Sequence, residues 1–244
     1  MKIVGGSDIG RLRLGNEDAF CFGELESNAV WAVVCDGMGG ASGGKIASQI
    51  TTDMVGKKIE KCYKPLMQTK SIQNVILSAV TTANVAVYDR ALADESLLGM
   101  GTTIVAAIIK DNIACIAHVG DSRAYILNAK KEIFAQITKD HSLVQEMLDA
   151  GQITQEQFEH HPIKNIITRA VGVKEKIDIE FDIIEVEDED VILICTDGLT
   201  GELEKEEIFK IFKQSDFDDL IVNYINVANE NGGRDNITAI AVKC

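Results

Sequence analysis

At 244 residues with 46% hydrophobic content, the chain can bury a full core, and one domain spanning residues 1–244 is expected. A formal net charge of -14 excludes nucleic acid and anionic membrane as the main partner. Met1-Lys2-Ile3-Val4-Gly5-Gly6 lacks the apolar core of a signal peptide and no later run approaches a membrane span, so a soluble, cytoplasmic protein is expected.

In chain order, the first acidic group is Glu17-Asp18, just ahead of a short strand from Ala19 to Phe22. Arg11 and Arg13 precede it; arginines in such a place are usually solvated, but one of them can also grip a phosphate with two hydrogen bonds. The run Ala29–Cys35 is apolar at every position and reads as a strand buried on both faces, ending in Asp36 and a glycine-rich turn, Gly37-Met38-Gly39-Gly40. Asp-Gly after a strand is more often a plain turn than a site. Ile46, Ile50 and Met54 then carry the one-faced spacing of a surface helix. A longer helix is expected from Ser71 as N-cap, with Ile72, Val75, Ile76, Ala79, Val80, Ala83, Ala86 and Val87 as its packed stripe.

Strands resume with residues 102–109, a turn at Lys110-Asp111-Asn112 and a second strand, 113–119, that runs into Gly120-Asp121. Between Asp140 and Arg169 the pattern breaks into a short helix closed by Gly151 and a capping-box spelling, Thr154-Gln155-Glu156-Gln157. His141, His160 and His161 are not spaced as a metal trio and read as solvated. The acidic stretch Glu185–Asp190 reads as a solvated turn before an apolar strand, Val191–Thr196, that ends in Asp197-Gly198. A helix with Leu220, Ile221, Tyr224, Ile225 and Ala228 on one face stops at Asn231-Gly232-Gly233, and Asp235-Asn236 opens the last strand, 237–242. The six cysteines form no Cys-x-x-Cys pair and four lie in apolar strands, so they read as buried reduced thiols.

Three strands thus finish in an acid beside glycine, and two acidic groups sit at strand beginnings. In antiparallel sheets the start of one strand lies beside the end of its neighbour, so all five positions can share one edge. Two carboxylates about 5 Å apart repel by roughly 3 kcal/mol at an effective dielectric near 20. Such a cluster needs protonation or divalent metal, and oxygen-only ligands favour Mg²⁺ or Mn²⁺ over Zn²⁺.

Six ordered motifs carry a resemblance across nearly the whole chain. They are residues 7–19 with Arg13 and Glu17-Asp18, Asp36-Gly37-Met38-Gly39-Gly40, Gly101-Thr102-Thr103, Gly120-Asp121-Ser122-Arg123, Thr196-Asp197-Gly198-Leu199 and Arg234-Asp235-Asn236-Ile237-Thr238. Together they resemble the metal-dependent PP2C-type (PPM) serine/threonine protein phosphatases. Ile137–Ser142 and Asn165–Gly172 are similar to the compact bacterial branch of that family. The resemblance implies an α+β fold, an α-β-β-α sandwich of two mainly antiparallel sheets flanked by helices, with a flap insertion at about 142–166. It implies two Mn²⁺ or Mg²⁺ ions and a weaker third. Asp36 would bridge the two ions, the Gly37 carbonyl would hold one, Asp197 and Asp235 the other, and Asp121 the third together with Asp197. Glu17 would lie at the metals or behind a water, with Asp18 and Asn236 as support, and Arg13 would bind the substrate phosphate.

Two hard cations can acidify a shared water to hydroxide, which then attacks phosphorus in line, so the residues expected to carry catalysis are Asp36, Asp197, Asp235 and Arg13. Where relatives place a histidine proposed as general acid, this chain has Met38 or Ala41, neither of which donates a proton. The expected partners are phosphorylated proteins and a cognate Ser/Thr kinase, and a monomer is expected. Two rivals remain. Gly39–Lys45 follows a strand like a nucleotide-binding loop, but Ile46 stands where a Ser or Thr hydroxyl should meet Mg²⁺. A non-catalytic relative that binds phosphorylated partners or metal is the other.

Overall fold

The computed structural model describes residues 1–39, 43–159, 161–163 and 165–244, with Glu159 by its backbone alone. The readings that fall on Gly40, Ala41, Ser42 and His160 therefore lie outside the described residues.

Strands β1 (Lys2–Asp8), β2 (Ala19–Leu25), β3 (Ala29–Cys35) and the two-residue β4 (Gly37–Met38) precede two long helices, α1 (Gly43–Cys62) and α2 (Thr69–Leu92). Strands β5 (Gly101–Thr102), β6 (Ile104–Lys110), β7 (Ile113–Val119), β8 (Arg123–Asn128) and β9 (Ile133–Gln136) follow, then short helices α3 (Leu143–Asp149) and α4 (Gln155–Glu159). The chain closes with β10 (Glu180–Glu185), β11 (Val191–Cys195), α5 (Asp197–Thr200), α6 (Lys205–Gln214), α7 (Leu220–Asn231) and β12 (Ile237–Lys243). One sheet has the order β1-β12-β11-β8-β9 and the other β10-β7-β6-β3-β2. Every pairing in both is antiparallel.

The unbroken apolar strands follow from this layering, because alternate side chains enter two different cores. From β3, Trp31, Val33 and Cys35 pack with α1 and α2 residues such as Ile59 and Ile76. Val30, Ala32 and Val34 meet Ile192, Ile194 and Ile240 of the facing sheet. On the far side Leu193, Cys195 and Ala239 pack beneath Ile208 of α6 and Tyr224 of α7. Helix, sheet, sheet and helix are thus held by three apolar layers, which is the sandwich expected from the sequence. The β6–β7 hairpin turns on Asp111 and Asn112, with φ 48° and 62°, the left-handed pair that a two-residue turn requires.

Four local readings need correction. The buried face of α1 is Ala47, Ser48, Thr51, Thr52, Val55, Gly56 and Ile59, one step round from Ile46, Ile50 and Met54, which are only partly buried. Gly56 lies there because a Cβ would stand 2.7 Å from the Trp31 ring. Helix α2 begins at Thr69 with Gln68 as N-cap, so Ser71 lies inside its first turn. Asp190 is buried, not solvated: it accepts from Asn128 Nδ2 at 2.6 Å and from the Glu187 amide at 2.8 Å. Helix α6 is an element that the sequence reading did not identify. The reciprocal cap at Thr154 and Gln157 is present, with bonds of 2.9 and 3.3 Å, as is Ser142 as N-cap of α3. All six cysteines are free thiols.

Asn84, buried on α2, ties down the chain at residues 172–175: its Nδ2 donates to Lys174 O and Glu175 O at 3.0 Å each, and its Oδ1 accepts from the Gly172 amide at 2.8 Å. Replacing it by alanine strands these backbone groups. Asn84→Ala should cost about 2–3 kcal/mol, read as a lower urea midpoint at unchanged m-value.

Candidate active site

The sheets end together at one edge. There Glu17, Asp36, Asp121, Asp197 and Asp235 line one cleft of about 830 Å³, with Arg13, Gly37 and Asn236 also in its wall. Asp18 sits just behind. Each strand delivers its acid as the sequence order requires: β3 ends immediately before Asp36, β11 ends one residue short of Asp197, and β2 and β12 begin just after Asp18 and Asn236.

The backbone at these acids is fixed by side chains that are themselves buried. The Asp36 amide donates to Thr103 Oγ1 at 2.9 Å, and its carbonyl accepts from the Thr103 amide and from Thr102 Oγ1, both at 2.8 Å. Thr103 Oγ1 lies 2.7 Å from Ser122 Oγ, next to Asp121, so one hydroxyl pair joins the acids of opposite sheets. Asn236 donates to Ile9 O and Gly15 O and accepts from the Glu17 amide at 2.8 Å, which fastens the loop carrying Arg13 to β12. Two glycines allow the close approaches. A Cβ at Gly37 would lie 2.2 Å from Gly44 O, and one at Gly198 would lie 1.9 Å from Asn236 O.

Electrostatically the cleft is a set of half-buried carboxylates held near one another. Burial, then the charges of Asp18, Asp197, Asp121 and Asp235, push Asp36 well above the usual carboxylate range. Burial and neighbouring Asp197 and Asp140 push Asp121 up to about 7. Asp18 is also pushed up to about 7 by burial, although it accepts from Thr238 Oγ1 at 2.6 Å and Thr196 Oγ1 at 3.0 Å. Asp197 and Glu17 are raised too, each chiefly by burial. Arg13 Nη2 bonds Asp235 Oδ2 at 2.6 Å and is the one basic side chain lining the cleft among the described residues.

A donor set of carboxylate and carbonyl oxygens suits hard divalent cations, and Asp197 Oδ1 is buried with no hydrogen-bond partner among the described residues. The residues fit such ions. Asp36, Asp121, Asp197, Asp235, Glu17 and the backbone at Gly37 are all brought together, with Asn236 beside them in the wall and Asp18 behind.

What that reading missed is the clamp around Asp121. His141 is buried, not solvated. Its Nδ1 accepts from the Gly120 amide at 3.1 Å and its own amide donates to Gly120 O at 2.9 Å. Arg123, two residues beyond Asp121, grips Asp140 at 2.7–3.1 Å. Burial, with His118 and Arg169 beside it, pushes His141 down to about 4, so the ring is neutral and its Nε2 proton faces Glu180 Oε1 at 3.1 Å. Donor atoms of His118, His141 and Glu180 lie within 4.8 Å of one another, but Arg169 Nη1 stands 3.0 Å from Glu180 and 3.3 Å from His141. A guanidinium therefore occupies the cationic place of that cluster. The signal lay in Asp140-His141-Ser142, which the sequence reading singled out without giving it a role.

Fold and cleft together define a site for hard cations acting on an anionic substrate, at the shared edge of an α-β-β-α sandwich. Comparisons with known proteins agree on one family. Residues 11–240 match the family model for protein phosphatase 2C. The chain is 36% identical over 240 residues to the serine/threonine phosphatase stp of Listeria monocytogenes, covering 97% of this chain and 93% of the relative. It is 33% identical to protein phosphatase PhpP of Streptococcus pneumoniae, covering 97% and 94%. Among solved structures, Stp1 of Staphylococcus aureus superposes with a TM-score of 0.91 at 32% identity, covering 100% of this chain and 94% of that one. PstP/Ppp of Mycobacterium tuberculosis superposes with 0.89 at 29% identity, covering 99% and 97%. The chain belongs to the protein phosphatase 2C family, the metal-dependent serine/threonine protein phosphatases. Among the described residues no helix is long and apolar enough to cross a membrane.

The raised carboxylates have a measurable consequence. Asp18 and Asp121, near 7 when folded and about 4 when unfolded, keep protons in the native state that the unfolded chain has released. Their contribution to stability is complete below about pH 4 and is lost as pH rises through about 7. In EDTA the thermal midpoint should therefore fall from pH 4 to pH 7, and Mn²⁺ should raise it more at pH 7 than at pH 5.

Proposed function

We propose that the whole chain acts as one catalytic unit that hydrolyses phosphoserine and phosphothreonine in proteins, using Mn²⁺ or Mg²⁺ at the carboxylate cleft, and that it reverses the work of a Ser/Thr kinase. The observation that carries this reading is the convergence of five acids from both sheets on one cleft beside a single arginine. Asp36, Asp197 and Asp235, with the Gly37 carbonyl, would hold two ions; Asp121 with Asp197 would hold a third, and Glu17 would contribute directly or through water. Divalent cations there supply the charge that lowers the pKa of water and screens the phosphate.

The chain's own residues do the rest. Arg13 is tethered to Asp235 at the cleft wall, where its fork can turn to two oxygens of a phosphate. Asn236 keeps Arg13 and Glu17 in register by holding Gly15 O and the Glu17 amide. Thr103 holds Asp36 from behind, leaving its carboxylate to the cleft. Met38 lines the cleft and has no proton to give, and among the described residues no histidine lines it. The flap insertion expected at about 142–166 would be tied at its base by the bridge between Ser142 and Ile167.

The deciding experiment is hydrolysis of a phosphothreonine peptide and of ATP with Mn²⁺, Mg²⁺ or EDTA. Metal-dependent release from the peptide alone is expected, and Asp36→Asn should lower kcat/KM by at least about a hundredfold. Turnover of ATP alone, or of nothing, would reject the reading. Arg13→Ala should raise KM for the peptide by about tenfold to a hundredfold, the worth of a hydrogen bond to a charged group.

A further inference from the structure

Two apolar residues stand beside the charged groups of the cleft. On the loop after β1, Leu12 and Leu14 flank Arg13 and both line the cleft, and the two leucines are 68% and 102% exposed. A substrate seated in the cleft beside two leucines exposed to that degree would cover their apolar surface. The loop is nonetheless pinned, since the Arg11 and Leu12 amides donate to Gly233 O at 2.7 and 3.3 Å and Asn236 holds Gly15 O at 3.1 Å. The leucines are thus presented at a fixed edge of the site. Ile167, from the base of the flap, and Met38 line the same cleft.

We propose that Leu12 and Leu14 form an apolar lip that selects phosphoprotein segments with aliphatic side chains close to the phosphorylated serine or threonine. The inference rests on the phosphatase reading, because it places the phosphate at Arg13. Two residues of chain span at most about 7 Å, so side chains covering Leu12 and Leu14 belong to positions within about two residues of the phosphorylated one. Charge favours this occupant over an acidic one. Apart from Arg13, every charged side chain lining the cleft is a carboxylate, and the chain as a whole carries -14. Acidic flanks would meet like charge, whereas aliphatic flanks exclude water from both partners.

The test compares kcat/KM for phosphothreonine peptides flanked on both sides by Val-Leu, by Ser-Ser or by Lys-Lys, with p-nitrophenyl phosphate as a small substrate. The Val-Leu peptide should exceed the Ser-Ser peptide by about fivefold or more. In Leu12→Ser/Leu14→Ser that ratio should fall toward one, and Leu14→Met should keep it. A ratio of two peptides cancels any general loss of turnover, so poor folding of the double variant cannot imitate the result. Equal rates for the Val-Leu and Ser-Ser peptides, a preference for Lys-Lys, or a Val-Leu preference that survives the double substitution would overturn the lip alone. No turnover of any peptide or of p-nitrophenyl phosphate would overturn the phosphatase reading, and the lip with it.

Discussion

The structure depends on holding carboxylates of like charge at one edge of a protein whose total stability is small. A pair about 5 Å apart opposes folding by roughly 3 kcal/mol at an effective dielectric near 20, and a typical domain has only about 5–15 kcal/mol in all. Here burial first, and the neighbouring acids after it, raise the proton affinities of Asp18, Asp36, Asp121 and Asp197. The opposing force comes from the three apolar layers, which fix the strand ends whatever charge those ends carry. The acids stand together because Val33, Ile194 and Ile240 are buried on the strands that lead to or from them.

Sheet geometry alone would leave the acids loosely aimed. Their aim comes from neutral hydrogen bonds between elements remote in sequence: Thr103 to Asp36, Ser122 to Thr103, Asn236 to the Glu17 amide, and Thr196 and Thr238 to Asp18. Neutral donors suit this task, since a lysine or arginine among the acids would satisfy the charge and remove the need for a cation. Arg13 meets that condition by standing at the wall, with its side chain about half exposed at 53%.

Much of this was legible because a strand buried on two faces leaves a plain signature. Ala29–Cys35 and Val191–Cys195 are apolar at every position, and the acid after each marks where the core stops. Helix faces were harder to read. In α1 the packed side is built from Ala, Ser, Thr and Gly, because Trp31 and the glycine turn press close, and hydropathy favours Ile46 and Ile50 instead. The satisfied polar residues were the least legible. Asp190 and His141 look solvated in sequence because their partners, Asn128 and Gly120, are respectively 62 and 21 residues away.

The acids of the cleft are not held alike. Asp36 and Asp197 follow central strands, β3 and β11, and Asp235 comes just before another, β12, so core packing sets their places. Asp121 lies in the turn between β7 and β8, strands of different sheets, and its neighbours Gly120 and Arg123 are gripped by His141 and Asp140. That gripping segment is itself held by residues 166–168: the Leu143 amide donates to Ile166 O and the Thr168 amide to His141 O, both at 2.8 Å. The position of Asp121 is therefore tied directly to that segment, whereas strand packing sets the other acids. Asp36 meets it at one remove, through the Ser122–Thr103 hydroxyl pair and through Thr102, whose hydroxyl bonds Asp36 O and whose backbone pairs with Val171.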